Sequence, residues 1–265
     1  MNVEGRAAIV TGGGTGVGRA TALELARRGC SVLINYSRSR DEAEQTVAEL
    51  MPLGVKAVAV QANMAEEAAC KEMVDRAIKE FGRLDVLVNN AGTTRFIPHD
   101  QLDEVRDEDW DRILAVNLKG PFNCARAASK AMLAGEGGAI VNVASVAGII
   151  ATGSSIPYCA SKAALINMTI ALARVLAPKI RVNAVAPGFI DGRWLREGLG
   201  ANYEIALKTF EDRLPMGRVS QPEDVASVII GLITGSDMVT GQTVVCDSGM
   251  LIADFAARPK LRSST

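Results

Sequence analysis

Short apolar runs alternate along the chain with longer stretches in which apolar residues return every three or four positions. The first run, Ala7-Ala8-Ile9-Val10, predicts a strand, and the amphipathic stretch from Val17 to Arg28, halted by Gly29, predicts a helix. The alternation repeats: a strand over Ser31 to Tyr36 and a helix from about Arg40, then a strand over Lys56 to Gln61 and a helix from Glu66 to Phe81. Leu84 to Asn89 reads as a fourth strand, Asp107 to Leu133 as one long helix, Ala139 to Ala144 as a strand and Pro157 to Leu176 as a helix. Ile180 to Val185 and Thr243 to Cys246 complete seven strands. Strands joined by helices of this length pair in parallel, so the expected fold is α/β, one domain built on an open, doubly wound sheet with helices on both faces. Ligands of such sheets sit beyond the carboxyl ends of the strands, where strand order reverses.

Composition narrows the chemistry. With 29 basic and 30 acidic residues, a net charge of −1 and no clustered sign, the chain lacks the basic footprint of a nucleic-acid binder or a membrane-surface helix. No apolar stretch is read as long enough to span a bilayer and the first residues lack a signal-peptide pattern, so a cytoplasmic protein with no membrane partner is expected. The five cysteines are scattered without a CxxC pair and read as small buried hydrophobes. His99 is the only histidine, which rules out a multi-histidine metal site and leaves no GxSxG-based triad, so no metal is expected. His99 itself reads as a loop residue.

Two constellations carry chemistry. The first strand runs into Thr11-Gly-Gly-Gly-Thr-Gly-Val-Gly18 and then directly into a helix, a place where backbone N–H groups can face a pyrophosphate. Neither the GxGxxG spacing nor the P-loop is met, and a tight turn without a ligand is the other reading. Roughly twenty residues on, where an acid would hold the ribose hydroxyl of NAD, stands Tyr36, followed by Ser37-Arg38-Ser39-Arg40. Hydroxyls and guanidinium groups suit a 2′-phosphate, so NADP(H) is preferred and NAD(H) is the other option. Ser145 closes the fifth strand, and Tyr158 and Lys162 share one helix face four residues apart. A neighbouring ammonium favours phenolate in Tyr158, and the Ser145 hydroxyl can meet a substrate oxygen as charge develops on it. By spacing alone the tyrosine–lysine pair could be accidental.

Together with Ser145 thirteen residues before Tyr158, the glycine turn and Asn89-Asn-Ala-Gly92, the chain resembles the short-chain dehydrogenase/reductase family over nearly its whole length. The Asn35-Tyr-Ser-Arg38 loop and Leu214-Pro-Met-Gly-Arg-Val219 are most similar to 3-oxoacyl-carrier-protein reductases. The resemblance implies a Rossmann-type domain over 1–252, a substrate lid at about 189–215 and a tail at 253–265. It implies Tyr158 as general acid/base, Lys162 as the residue that lowers its pKa and holds the nicotinamide ribose, Ser145 as the substrate-positioning hydroxyl and Asn117 as the holder of a relay water. Cofactor contacts are expected from Gly12, Gly14, Thr15, Gly16, Val17 and Gly18, from Tyr36, Ser37 and Arg38, and from Asn63 and Met64 near the adenine. Asn89, Ala91, Gly92, Tyr158, Lys162, Pro187, Gly188 and Ile190 complete the expected set.

Two departures stand out: Gly192 where the family commonly has a threonine touching the nicotinamide amide, and Thr15 where many NADP users carry a basic residue. The lid's Trp194, Leu195, Leu199, Tyr203, Leu207 and Phe210 suit either an apolar substrate or ordinary packing. The implied activity is NADP(H)-dependent hydride transfer on a small carbonyl or alcohol, most like 3-oxoacyl-thioester reduction. Sugar, polyol or secondary-alcohol dehydrogenation, and a cofactor-binding sensor or scaffold, are the other readings. An acyl carrier protein or CoA thioester is the implied partner, with Lys130 and Arg174 as a basic surface for the carrier. Pairing of the long helices implies a homo-oligomer, dimer or tetramer.

Overall fold

A computed structural model describes residues 1–253, so the tail expected at 253–265 lies almost wholly outside the described residues. In chain order the elements are β1 (Ala7–Val10), α1 (Gly16–Arg27), β2 (Ser31–Tyr36), α2 (Arg40–Leu50), β3 (Ala57–Gln61), α3 (Glu67–Phe81) and β4 (Val86–Asn89). Then follow α4 (Asp107–Leu114), α5 (Gly120–Ala134), β5 (Gly138–Val143), α6 (Ala147–Ile150), α7 (Ile156–Leu176) and β6 (Ile180–Pro187). The last are α8 (Arg193–Leu199), α9 (Tyr203–Arg213), α10 (Pro222–Thr234) and β7 (Thr243–Cys246).

The strands form one seven-stranded parallel sheet in the order β3-β2-β1-β4-β5-β6-β7. Because successive strand residues point to opposite faces, Ala8, Val10, Val32 and Ile34 pack under α1, α2 and α10. Ile9, Leu33, Leu87 and Ile140 face α3, α5 and α7. Both faces are covered, which is why the inner strands read as continuous apolar runs. Order reverses between β1 and β4, so the glycine turn after one and Asn89–Gly92 after the other meet at the expected crevice.

Three features differ from the sequence reading. The single helix expected over Asp107 to Leu133 is α4 and α5 joined by a π-helical segment, Ala115–Lys119, in which the Gly120 N–H reaches back to the Ala115 carbonyl. The helix α10 was not anticipated, although Gln221 and Asp224 build a capping box around Pro222 at its start. Finally, α7 is long and apolar enough to cross a membrane by length and composition, against the expectation that no segment would be; here it packs on the sheet and buries Lys162, Leu165 and Thr169.

Candidate active site

The glycine turn is held open by polar side chains from the neighbouring strands. The Asn90 amide donates to the Thr11 and Gly12 carbonyls (2.8 and 3.1 Å), and the Thr11 hydroxyl accepts the N–H groups of Asn90 and Ala91. Asn35 accepts the Gly12 N–H and anchors itself on the Ala62 carbonyl. Gly12 and Gly16 stand at φ 61° and 51°, the left-handed region that glycine adopts without penalty. A side chain on Gly18 would lie 2.3 Å from the Gly12 carbonyl, and one on Gly14 would strike the backbone of Ala43. α1 therefore starts hard against the turn. Thr15 offers it no side-chain cap, and nothing crowds Gly16 from above. An uncapped helix start behind an open glycine turn fits the pyrophosphate of a dinucleotide. Thr11, Asn35 and Asn90 lie within motifs read from the sequence, but their own role was not, because it depends on long-range partners.

At the other end of the crevice the structure brings Ser145, Tyr158 and Lys162 together. Ser145 follows β5, accepts the Ala147 N–H at 3.1 Å and donates to the Pro187 carbonyl at 3.4 Å. Tyr158 and Lys162 share one face of α7, with the Lys162 Nζ 5.6 Å from the tyrosine ring centre. α7 is aimed by Ser155, whose hydroxyl caps Tyr158 N, and by Gly148, which lets α6 lie directly on the backbone of Lys162. Burial pushes the Tyr158 phenol up to about 12, opposed by a hydrogen bond from Ser145. Burial also draws the Lys162 ammonium down to about 8, and its Nζ donates to the Val143 carbonyl at 2.7 Å. Desolvation of the phenol is the largest influence on Tyr158 here.

Asn117 lies in the π-helical segment, fully buried. Its Oδ1 accepts the Thr93 N–H at 2.8 Å, and Nδ2 donates to the Thr93 carbonyl and the Ser161 hydroxyl, both at 3.0 Å. It locks the loop after β4 to α7. Asn89 donates to Asn142 (2.9 Å), which donates to Thr169 (2.9 Å), a buried chain joining β4, β5 and α7. Gly92 opens onto the site, since a side chain there would lie 3.5 Å from Asn117 Oδ1 and 3.8 Å from Lys162 Nζ.

The remaining expected contacts fall in two groups. Ser37 and Arg38 are exposed beyond β2, and Tyr36 is half-buried against the core. Val17 also packs against that core, and Met64 is buried in the opposite one with its sulfur beside Cys124, so their side chains are structural. Asn63 is exposed and bonded to Glu66. Pro187 and Gly188 bring β6 to the crevice, with Gly188 lying directly on Asp247, and Ile190 pairs with Ser220 at the root of the lid. In the segment expected to act as a lid, Leu195, Leu199, Tyr203, Leu207 and Phe210 pack with Phe189, Leu214 and Val219, which decides most of these residues in favour of packing. Trp194 alone turns inward, its ring centre 6.3 Å from that of Tyr158 and its edge near Gly92. His99 is half-buried, its Nε2 beside the Cys159 thiol.

The sequence matches the short chain dehydrogenase family model over residues 6–199. It is 39% identical to the 3-oxoacyl-[acyl-carrier-protein] reductase FabG of Staphylococcus aureus over 247 residues, covering 92% of this chain and 98% of that one. Among solved structures it resembles a short chain dehydrogenase from Burkholderia cenocepacia in complex with NADP (TM-score 0.84, 34% identity, 94% and 99% of the two chains). It also resembles an NAD+-bound xylitol dehydrogenase (TM-score 0.86, 30% identity, 94% and 100% of the two chains). With the crevice at the order reversal, the uncapped glycine turn and the tyrosine–lysine face all in one sheet, the chain belongs to the short-chain dehydrogenase family and is an NAD(P)-dependent oxidoreductase of carbonyl and alcohol groups.

Proposed function

We propose that the protein is an NADPH-dependent carbonyl reductase acting on 3-oxoacyl thioesters. The observation that carries this reading is the meeting of Ser145, Tyr158 and Lys162 at the carboxyl end of β5, beside Gly92, with Lys162 buried and the other two half-buried. A dinucleotide held in the crevice would supply the hydride for the carbonyl carbon. Ser145 donates a hydrogen bond to the carbonyl oxygen, and Tyr158 passes its phenolic proton to that oxygen as charge grows there. A phenol pushed up to about 12 is protonated at neutral pH, which is the form a reductase needs. Lys162 orients the ribose and, as an ammonium, favours the tyrosinate left behind. NADP(H) is preferred because exposed Ser37 and Arg38, and no carboxylate, follow Tyr36 at the end of β2.

The thioester reading follows the FabG relative, whose name gives its substrate as a 3-oxoacyl-[acyl-carrier-protein]. Carrier protein or CoA thioesters are then the partners, with exposed Lys130 and Arg174 available to an acidic carrier. Exposed apolar residues on α5 (Phe122, Leu133) and α7 (Ile170, Val175) support a homo-oligomer built on these helices. A cytoplasmic setting accords with this chemistry. The similarity to a xylitol dehydrogenase favours a second reading, polyol oxidation with NAD+.

Steady-state assays of acetoacetyl thioesters, simple ketones and polyols with each dinucleotide separate the two. Thioester reduction with NADPH is the expected result, and a strong NADH preference with polyol turnover would replace it. Tyr158→Phe removes the proton donor and should lower kcat by at least about a hundredfold while leaving NADPH binding largely intact; unchanged turnover would sink the mechanism.

A further inference from the structure

One lid residue makes a contact that neither the reaction nor the packing of the lid requires. Arg193, the first residue of α8, donates from Nη1 to Glu42 Oε1 at 2.7 Å and from Nη2 to Ser39 Oγ at 3.5 Å. These two partners open α2, just past the loop that carries Ser37 and Arg38. Arg193 itself hangs from the end of β6, and β1, β4 and β5 stand between β6 and β2 in the sheet. At ~4.8 Å per strand, the link reaches across about 19 Å of sheet. Its path runs over the strand ends that carry the glycine turn, Asn89–Gly92 and Ser145. The next residue, Trp194, rests by Gly92 and Tyr158, so the same two residues reach toward both ends of the crevice.

The Arg193–Glu42 pair is exposed at both ends, 50% and 39%, and an ion pair of that kind contributes little to stability. A phosphate, by contrast, offers a guanidinium two parallel, charge-assisted hydrogen bonds. The residue before Arg193 is Gly192, which brings no side chain to the crevice, so Arg193 carries the first side chain of α8.

We propose that Arg193 is a cofactor-binding residue, and that Glu42 is the placeholder it leaves in order to take a phosphate of the dinucleotide. This rests on the NAD(P) reading of the crevice. Phosphate binding and lid position are then one event: the group that anchors the dinucleotide also draws α8 across it.

The test is calorimetric titration of wild type, Arg193→Gln and Glu42→Gln with NADPH and with NADH, without substrate. Arg193→Gln should weaken NADPH binding about tenfold. Glu42→Gln, by removing the competing carboxylate, should tighten it about threefold. A loss confined to NADPH identifies the 2′-phosphate as the ligand, and an equal loss with NADH identifies the pyrophosphate; either supports the proposal. Hydrogen exchange supplies a second readout: NADPH should protect the amides of 193–199 in wild type and not in Arg193→Gln. Wild-type binding with Arg193→Gln unchanged within twofold, or weaker binding by Glu42→Gln, overturns the exchange and leaves the oxidoreductase reading standing. Failure of wild type to bind either dinucleotide would bring down both.

Discussion

Gly192 stands at φ 171° and ψ 174°, an extended backbone open to any residue, and a side chain built there meets nothing within 4 Å. Its lack of a side chain therefore answers no steric demand of this fold. Gly192→Thr should fold as wild type and, by adding a hydroxyl at the nicotinamide end, tighten NADPH binding about fivefold in a titration. No gain would mean that the lid backbone already saturates the cofactor at this point. At this scale the sequence was most informative where chemistry is local. Ser145, Tyr158 and Lys162 could be read only jointly with the glycine turn and Asn89–Gly92, since the spacing of the pair alone could be accidental. Arg193 could not, because its partner Glu42 lies 151 positions away and only the folded chain brings them together. Trp194 was equally hard to separate from Leu195 or Leu199, since an apolar residue on a short helix does not announce which face it will present.

Elements were legible wherever one face had to be buried. Seven strands and the helices α1, α2, α3 and α7 follow from alternation, with ends displaced by a residue or two, whereas α10 does not. The π-helical segment at Ala115–Lys119 carries no such signal: its extra residue leaves the polar and apolar pattern of α4 and α5 continuous on either side. What fixes it is tertiary, the demand of Thr93 and Ser161 on the Asn117 side chain. The chain from Asn89 through Asn142 to Thr169 makes the same point across three elements. Asn142→Ala would leave the Asn89 amide short of a buried partner. It should cost about 2 kcal/mol of stability in urea denaturation, whereas a cost under about 0.5 kcal/mol would show that water replaces the lost group.

For the molecule as a whole, the polar interior is divided between the two ends of the sheet. At the amino ends Asp85 is buried, receives the Ala7 N–H and pairs with Arg6 and Arg83, which both also reach Glu136. Burial pushes the Asp85 carboxyl up, but Arg83, the Ala7 N–H and Arg6 together outweigh it and hold the carboxyl below its ordinary value. A lowered folded-state value stabilises the protein fully above the unfolded carboxylate range near ~3.9 and is lost as pH falls through the lower one. Asp85→Ala should therefore cost about 2–3 kcal/mol at neutral pH, and the difference from wild type should shrink in acid. Turnover per folded molecule should be unchanged, as measured by denaturation beside steady-state kinetics. The proposed catalytic groups Ser145, Tyr158 and Lys162 sit toward the opposite, carboxyl ends of the strands. That separation has an evolutionary consequence. The clasp around Asp85 can stay fixed while the loops and lid at the far rim drift, so a lineage with this sheet can change its substrate without first having to rebuild what keeps it folded.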